Sequence, residues 1–87
     1  MQKRRPCVIV SPRVLNRILA TVLVAPLTAA SHRYPFRVAC EFAGRKREIA
    51  LDQIRCVDKG RLVRRVGRID ALTAQALFAV LAEMFSE

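Results

Sequence analysis

The chain has 87 residues, 53% of them hydrophobic, which is enough for one globular domain and too apolar for intrinsic disorder. Its 16 lysines and arginines against 7 acidic residues give a net charge of +9, and most of the cations are arginine. This surplus favours a polyanionic partner such as nucleic acid, although a basic composition without functional cause would look the same. The longest apolar stretch, residues 18–30, contains Pro26 and is too short to cross a bilayer, so we expect no membrane insertion and a cytoplasmic protein.

The three cysteines, Cys7, Cys40 and Cys56, are odd in number and widely spaced. That pattern fits neither a disulfide framework nor a structural zinc site, so we expect buried free thiols in a reducing compartment. The only histidine, His32, lies outside any cysteine or acidic cluster. We therefore expect no bound metal and no cofactor.

The N-terminal half predicts two strands around a short helix. Residues 7–10 form a β-branched run that predicts a buried strand. Ser11 and Pro12 fit the cap and the first position of a helical turn within residues 11–20. Residues 21–27 predict a central strand, with Pro26 marking a bulge or the strand's exit, and residues 28–35 predict a loop.

The next segments alternate strands and turns. Residues 36–42 alternate apolar and polar side chains, which predicts a half-exposed strand. Residues 43–46 predict a hairpin turn and residues 58–60 a second turn. Residues 62–66 predict a last strand with arginines on its exposed side.

Residues 47–57 predict one or two further strands that carry polar candidates for binding. On such a strand Gln53 and Arg55 point one way and Asp52 the other. Gln53 could read a base edge and Arg55 could contact a phosphate, but ordinary surface polarity explains the same residues.

The C-terminal segment predicts the one long helix. Asp70 is placed to cap it, and an apolar stripe at helical spacing follows, formed by Leu77, Val80, Leu81, Met84 and Phe85. Five or six short strands and this helix together predict a mainly β fold, a small, strongly curved antiparallel sheet or partial barrel capped by a helix.

Two further residues could contact a phosphate group. Pro6 restricts the backbone of Arg5, which can therefore hold its guanidinium in place beside the first strand. Thr28 follows the apolar strand, where its hydroxyl could donate to a phosphate oxygen or satisfy nearby backbone. Solvated charge is the simpler interpretation of Arg5.

Four blocks of the sequence together resemble the MazF/PemK family of toxin endoribonucleases: RRPCVIVSPRVLN, VLVAPLT, YPFRV and LDQIRCVDKGRLVRRVGRID. The resemblance implies a small SH3-like barrel of the CcdB/PemK type with a C-terminal helix, a single domain over residues 1–87, and a homodimer. It implies a toxin of a type II toxin–antitoxin system that cleaves single-stranded RNA at short sequences by attack of the neighbouring 2′-hydroxyl, without a metal. A cognate antitoxin protein would bind the toxin and block its RNA groove.

The resemblance also assigns roles to residues. The family's catalytic arginine falls on Arg5 and its catalytic threonine on Thr28, while its substrate-contacting glutamine falls on Gln53, after Asp52. Residues 29–34 occupy the place where family members vary their RNA sequence preference. The remaining candidate RNA contacts are Lys3, Arg4, Ser31, Arg33 and Arg55.

The chain departs from the family pattern at its start, and two alternative functions stay open beside the ribonuclease. Family members usually carry an additional strand and a Gly-rich loop before the Arg-Pro motif, and we expect this chain to lack them. A CcdB-like toxin that poisons DNA gyrase by protein contact is one alternative. The other is an inactive, truncated decoy that binds RNA or antitoxin. If the chain were such a gyrase-directed toxin, Arg5 and Thr28 would be dispensable for its toxicity.

Overall fold

The computed structural model describes residues 5–86. Its strands and helices follow one another as β1 (Cys7–Ile9), α1 (Arg13–Ile18), β2 (Thr21–Ala29), β3 (Arg37–Phe42), β4 (Arg45–Ala50), β5 (Arg55–Asp58) and α2 (Ala71–Met84). The predicted mainly β fold with a C-terminal helix is confirmed. Within the described residues, no helix is long and apolar enough to cross a membrane.

The nine-residue strand β2 belongs to both halves of a curled antiparallel sheet. Its first part pairs with β5 from Thr21 to Val24 and, along its other edge, with β1. Its last part, from Leu27 to Ala29, pairs with β4, which forms a hairpin with β3. Pro26 lies between the β5-paired and β4-paired parts, where that edge needs no N–H donor, so the strand continues past the exit that the proline predicted.

The core lies between the sheet and α2. Ala25, Ile49 and Leu51 are almost completely buried, and Leu77 brings α2 onto them. The Asp70 carboxylate accepts the backbone N–H of Thr73 at 2.7 Å, which confirms the predicted helix cap.

The predicted apolar stripe on α2 ends one residue early. Val80, Leu81 and Met84 pack against the core, whereas Phe85 is 80% exposed. Phe85 lies beyond the last helical residue with a non-helical ψ of 10°, so its side chain leaves the face that the spacing predicted.

Two turns differ in detail from their predictions. The hairpin turn consists of Ala43 and Gly44 alone, both left-handed with φ values of 54° and 75°, as two-residue hairpin turns require. Ser11 does not cap α1: Pro12 takes the cap position, and the Ser11 hydroxyl contacts the Asn16 side chain and accepts the N–H of Leu23.

Two predicted strand segments are wrong. Residues 51–53 form a 3₁₀ turn because the chain must cross from the β2–β4 half of the sheet to the β2–β5 half. Asp52 and Gln53 therefore lie on this turn, and only Arg55 lies on a strand. Residues 62–66 pair with no strand of the described chain, since a short run with apolar and β-branched residues does not by itself supply a neighbouring edge.

The three cysteines are free thiols, but two of them are exposed rather than buried. Cys7 alternates along β1 with Val8, which packs against the core, so Cys7 faces outward. Cys56 lies opposite the exposed Leu23 on the neighbouring strand and shares its face.

Candidate functional site

A pocket of about 440 Å³ opens where the chain enters β1, beside β2 and the start of β5. Its lining consists of Arg5, Pro6, Cys7, Val24, Pro26, Gln53 and Arg55. Three residues singled out in the sequence, Arg5, Gln53 and Arg55, thus come together. The lining includes two arginines and a glutamine but no acidic residue, so the pocket suits an anion. We call it the Arg5 pocket.

The approach to β1 sets the position of Arg5. The N–H of Leu27 donates to the carbonyl oxygen of Pro6 at 3.1 Å, which extends the β1–β2 ladder by one step beyond the Cys7–Pro26 pair. The next step of this register places Arg5 opposite Thr28. Opposite residues of an antiparallel pair point to the same face, with Cβ atoms typically about 5 Å apart. The sheet therefore brings the candidate cation and the candidate hydroxyl to one place.

The other side of the Arg5 pocket comes from β5 and the turn before it. Arg55 is the register partner of Val24, and Gln53 projects from the 3₁₀ turn. Partial burial raises the pKa of the Cys7 thiol, while the positive charge of Arg55 acts in the opposite direction. Arg55 is thus close enough for its charge to be felt at Cys7.

A second group of polar residues surrounds Arg37, whose side chain is 9% exposed. Its Nε and Nη2 donate to the two carboxylate oxygens of Asp52 at 3.0 and 3.2 Å, and its Nη1 donates to Thr28 Oγ1 at 3.4 Å. The guanidinium also stacks on Tyr34, with Cζ 4.4 Å from the ring centre. The hydrogen bond with Arg37 lowers the pKa of Asp52, and the same bond raises the pKa of Arg37. We call this group the Arg37 cluster.

Glu48 anchors the loop that follows β2. It is 4% exposed, and its Oε2 accepts the backbone N–H of His32 at 3.0 Å. Arg37 Nη1 lies 3.9 Å from its other oxygen. Backbone donation from His32 is the largest of the effects that lower the pKa of Glu48, and a backbone bond from Ser31 and the charge of Arg37 add to it. The carboxylate is therefore held as a buried anion beneath the loop.

Thr28 connects the two groups. Its hydroxyl donates to the carbonyl oxygen of Glu48, its register partner on β4, at 3.4 Å, and accepts from Arg37. On the other edge of β2 its neighbour is Arg5, as the register indicates. The sequence pointed to Thr28 and Asp52 but missed Arg37 and Glu48; the one signal for Arg37 was its place in the YPFRV block.

A family model for PemK-like, MazF-like toxins of type II toxin–antitoxin systems matches residues 1–85. The chain belongs to this family. Among solved structures, the crystal structure of an Mtb toxin has a TM-score of 0.83 at 23% identity, over 93% of this chain and 92% of that one. The Mycobacterium tuberculosis toxin MazF-mt6 has a TM-score of 0.82 at 23% identity, over 93% of this chain and 85% of that one. No curated protein matches the chain.

The remaining predicted contacts of this MazF-like toxin lie around the same two groups or outside the described residues. Ser31 and Arg33 are exposed on the loop after β2, where the Ser31 hydroxyl accepts the N–H of Arg33 at 3.4 Å. Lys3 and Arg4 fall outside residues 5–86. In that range no three histidine, cysteine, aspartate or glutamate side chains are grouped so that they could hold a metal ion.

Proposed function

We propose that this MazF-like toxin is a metal-independent endoribonuclease that cleaves single-stranded RNA, including mRNA, at short sequences. The observation that supports the proposal is the register of β1 and β2: continued one step beyond the hydrogen bond between Leu27 and Pro6, it pairs Arg5, which lines the basic pocket, with Thr28. A guanidinium and a hydroxyl so placed can share one phosphate group. Family membership supports the same conclusion.

The reaction needs little from the protein beyond charge stabilisation, because RNA carries its own nucleophile. The 2′-oxygen bonds to the adjacent phosphorus while the bond to the 5′-oxygen of the next nucleotide breaks, which leaves a cyclic phosphate and a free 5′-hydroxyl. One proton leaves the 2′-hydroxyl and one reaches the 5′-oxygen. In the transition state negative charge grows on the non-bridging oxygens, where each fixed donor contributes about 3 kcal/mol.

Arg5 and Thr28 have different parts in this scheme. The guanidinium of Arg5 offers N–H donors and no acceptor, so it serves as a phosphate ligand or as a proton donor to the leaving oxygen, never as the base. The Thr28 hydroxyl accepts an N–H from Arg37, which polarises its O–H bond and makes it a better donor to phosphate. To reach the phosphate, that O–H turns away from the Glu48 carbonyl that it contacts in this structure.

The surroundings supply binding rather than chemistry. Gln53 offers an amide for a base edge and Arg55 a guanidinium for a neighbouring phosphate, both from the Arg5 pocket. Ser31 and Arg33 on the loop, Lys3 and Arg4 before Arg5, and Asp52 beside Arg37 complete the proposed RNA contacts. We further propose a cytoplasmic homodimer whose RNA groove is covered by the cognate antitoxin.

The proposal is tested with a synthetic RNA library of random sequence, incubated with the toxin in the presence and absence of EDTA. We expect cuts at a small set of sequences, products with cyclic phosphate and 5′-hydroxyl ends, and equal rates in both conditions. A matching DNA library, which lacks the 2′-hydroxyl, should remain intact. Folded protein that leaves the RNA whole, or cleavage abolished by EDTA, would contradict the proposal, and inhibition of gyrase without RNA cleavage would favour the CcdB-like alternative.

A further inference from the structure

Tyr34 holds an aromatic ring at the surface beside the proposed cleavage site. The residue is 57% exposed, and one face of its ring is covered by the Arg37 guanidinium, 4.4 Å from the ring centre. An exposed ring with one face covered by a cation leaves its opposite face for a flat, electron-rich partner. We propose that Tyr34 is the stacking platform for one unpaired RNA base next to the phosphate that is cut, an inference that rests on the proposed function.

The same guanidinium fixes the distance between ring and cleavage site. Arg37 Nη1 lies 3.4 Å from Thr28 Oγ1, and Arg37 Cζ lies 4.4 Å from the Tyr34 ring centre. Joined by one C–N bond of the guanidinium, these distances place the ring centre no farther than about 9 Å from the hydroxyl. A nucleotide whose phosphate contacts Thr28 can therefore reach the ring with its own base or with an adjacent one.

The loop that carries Tyr34 is fixed at both ends before RNA arrives. On the N-terminal side, His32 adopts a left-handed φ of 58° and donates its N–H to the buried Glu48. On the C-terminal side, Pro35 precedes Phe36, which is also left-handed at 61°. Left-handed conformations are costly for residues other than glycine and persist only where the surrounding structure holds them. Such a preorganised ring binds a base with little loss of conformational entropy.

The chemistry of the surroundings selects a nucleic-acid base over other flat partners. The charge of Arg37 beneath the ring is balanced by Asp52, whereas Arg33, next to Tyr34 in the chain, is exposed and can attract a phosphate beside the stacked base. Stacking on an aromatic ring tolerates any base, because every base has a π face. We therefore expect Tyr34 to set affinity and position, and groups such as Gln53 to discriminate between bases.

Intrinsic fluorescence offers a direct test, because Tyr34 is the only tyrosine and the chain has no tryptophan. The ligands are a non-cleavable 2′-O-methyl RNA of random sequence and an abasic sugar–phosphate chain of equal length. We expect the RNA to quench the Tyr34 emission and the abasic chain to leave it unchanged when bound. Tyr34→Ala should weaken binding of the base-bearing RNA about 5- to 100-fold, and Tyr34→Phe should retain it, since stacking requires only the ring.

Two comparisons decide between a stacking role and a merely structural one. Phe78→Ala removes an aromatic ring that is similarly exposed on α2, and it should leave binding unchanged. If Tyr34→Ala weakens the base-bearing and abasic ligands equally, the ring only shields the Arg37–Asp52 pair and the inference is wrong. If Tyr34→Ala binds and cleaves RNA like the parent, the inference fails while the proposed function stands. If the parent protein neither binds nor cleaves RNA, both fail.

Discussion

Arg5 stands immediately before a proline whose carbonyl is already bonded to β2, so its backbone has little freedom. Its exposed side chain lines the Arg5 pocket, where it can meet a phosphate. Arg37, a second arginine close to Thr28, has a different role. It donates hydrogen bonds to both oxygens of Asp52, and its side chain is nearly buried. Under the proposed function, Arg5 is thus available to the RNA substrate, and Arg37 positions the Thr28 hydroxyl.

Replacing Arg5 by lysine tests this division of roles. Lysine keeps the charge but loses the planar pair of donors, so we expect the RNA cleavage rate to fall about 100-fold or more while the thermal unfolding transition is unchanged. Arg13→Lys on the exposed face of α1 is the matched control and should cleave at the parental rate. Parental turnover of Arg5→Lys would remove Arg5 from the mechanism.

The buried carboxylate of Glu48 and the ion-paired carboxylate of Asp52 make the folded protein sensitive to acid. The pKa of Glu48 lies below its ordinary value of 4.5 and that of Asp52 below 3.8, because backbone N–H groups and Arg37 favour their charged forms. The unfolded chain binds protons first as the pH falls, so these groups stabilise the fold fully above about pH 5 and lose that effect as pH drops through their folded values. We expect the urea midpoint to be flat near neutrality and to fall steeply below pH 4.5.

An amide at position 52 separates this effect from general acid unfolding. Asp52→Asn should lower the urea midpoint at pH 7, because Arg37 loses its charged partner, and should make the acid-side fall shallower. Glu41→Gln, an exposed change on the strand that carries Arg37, should give a profile parallel to that of the parent. Identical profiles for Asp52→Asn and the parent would contradict the role given to the ion pair.

Among the secondary-structure elements, those set by local chemistry were predictable from the sequence. Asp70 and the helical spacing of apolar residues after it predicted α2, and the continuous apolar run of residues 21–27 predicted β2. The crossing at residues 51–53 was not predictable, because it depends on which strands β4 and β5 pair with. Residues 62–66 have the apolar and β-branched residues of a strand but pair with no edge among the described residues, and no local pattern reveals that.

Some residues of the candidate site were also predictable from the sequence, and others were not. Arg5, Thr28 and Gln53 were recognisable because short sequence blocks carry them. The partners that position Thr28 were not, since the Arg37–Asp52 contact spans 15 residues and the His32–Glu48 contact spans 16. Contacts at such separation follow from strand register, and one sequence does not disclose register when the turn between the strands is misassigned.

Two leucines on α2 test how the helix stabilises the sheet. Leu77 is 1% exposed and packs into the core, whereas Leu72 is 79% exposed on the same helix. We expect Leu77→Ala to lower the free energy of unfolding by about 3 kcal/mol and Leu72→Ala by less than about 0.5 kcal/mol, since only the first leaves a cavity. Urea titration of both variants measures the difference. Equal losses would mean that α2 does not cover the core as described.

At the scale of the whole molecule, the positive charge is unevenly distributed over the surface. Some of the net charge of +9 lines the Arg5 pocket, and another part lies on the exposed segment between β5 and α2, which carries Arg61, Arg64, Arg65 and Arg68. Such a field concentrates a polyanion around the protein and would speed its encounter with the proposed RNA substrate before any specific contact forms. Long-range attraction and contact in the pocket should therefore respond differently to salt and to mutation.

The salt dependence of RNA binding measures how many phosphates are held directly. For a single strand, the logarithm of the binding constant falls with the logarithm of salt concentration by about 0.7 per phosphate contacted. We expect a steep slope for a non-cleavable 2′-O-methyl RNA, and we expect Arg55→Gln to reduce it by about 0.7, the share of one phosphate contact, because this residue lines the Arg5 pocket. Arg13→Gln removes the same charge from an exposed position on α1 that does not line the Arg5 pocket, and it should lower affinity slightly without changing the slope. If both variants changed the slope equally, RNA would be held by the general positive field rather than by the Arg5 pocket, and a flat parental slope would show that the arginine surplus is not a binding surface.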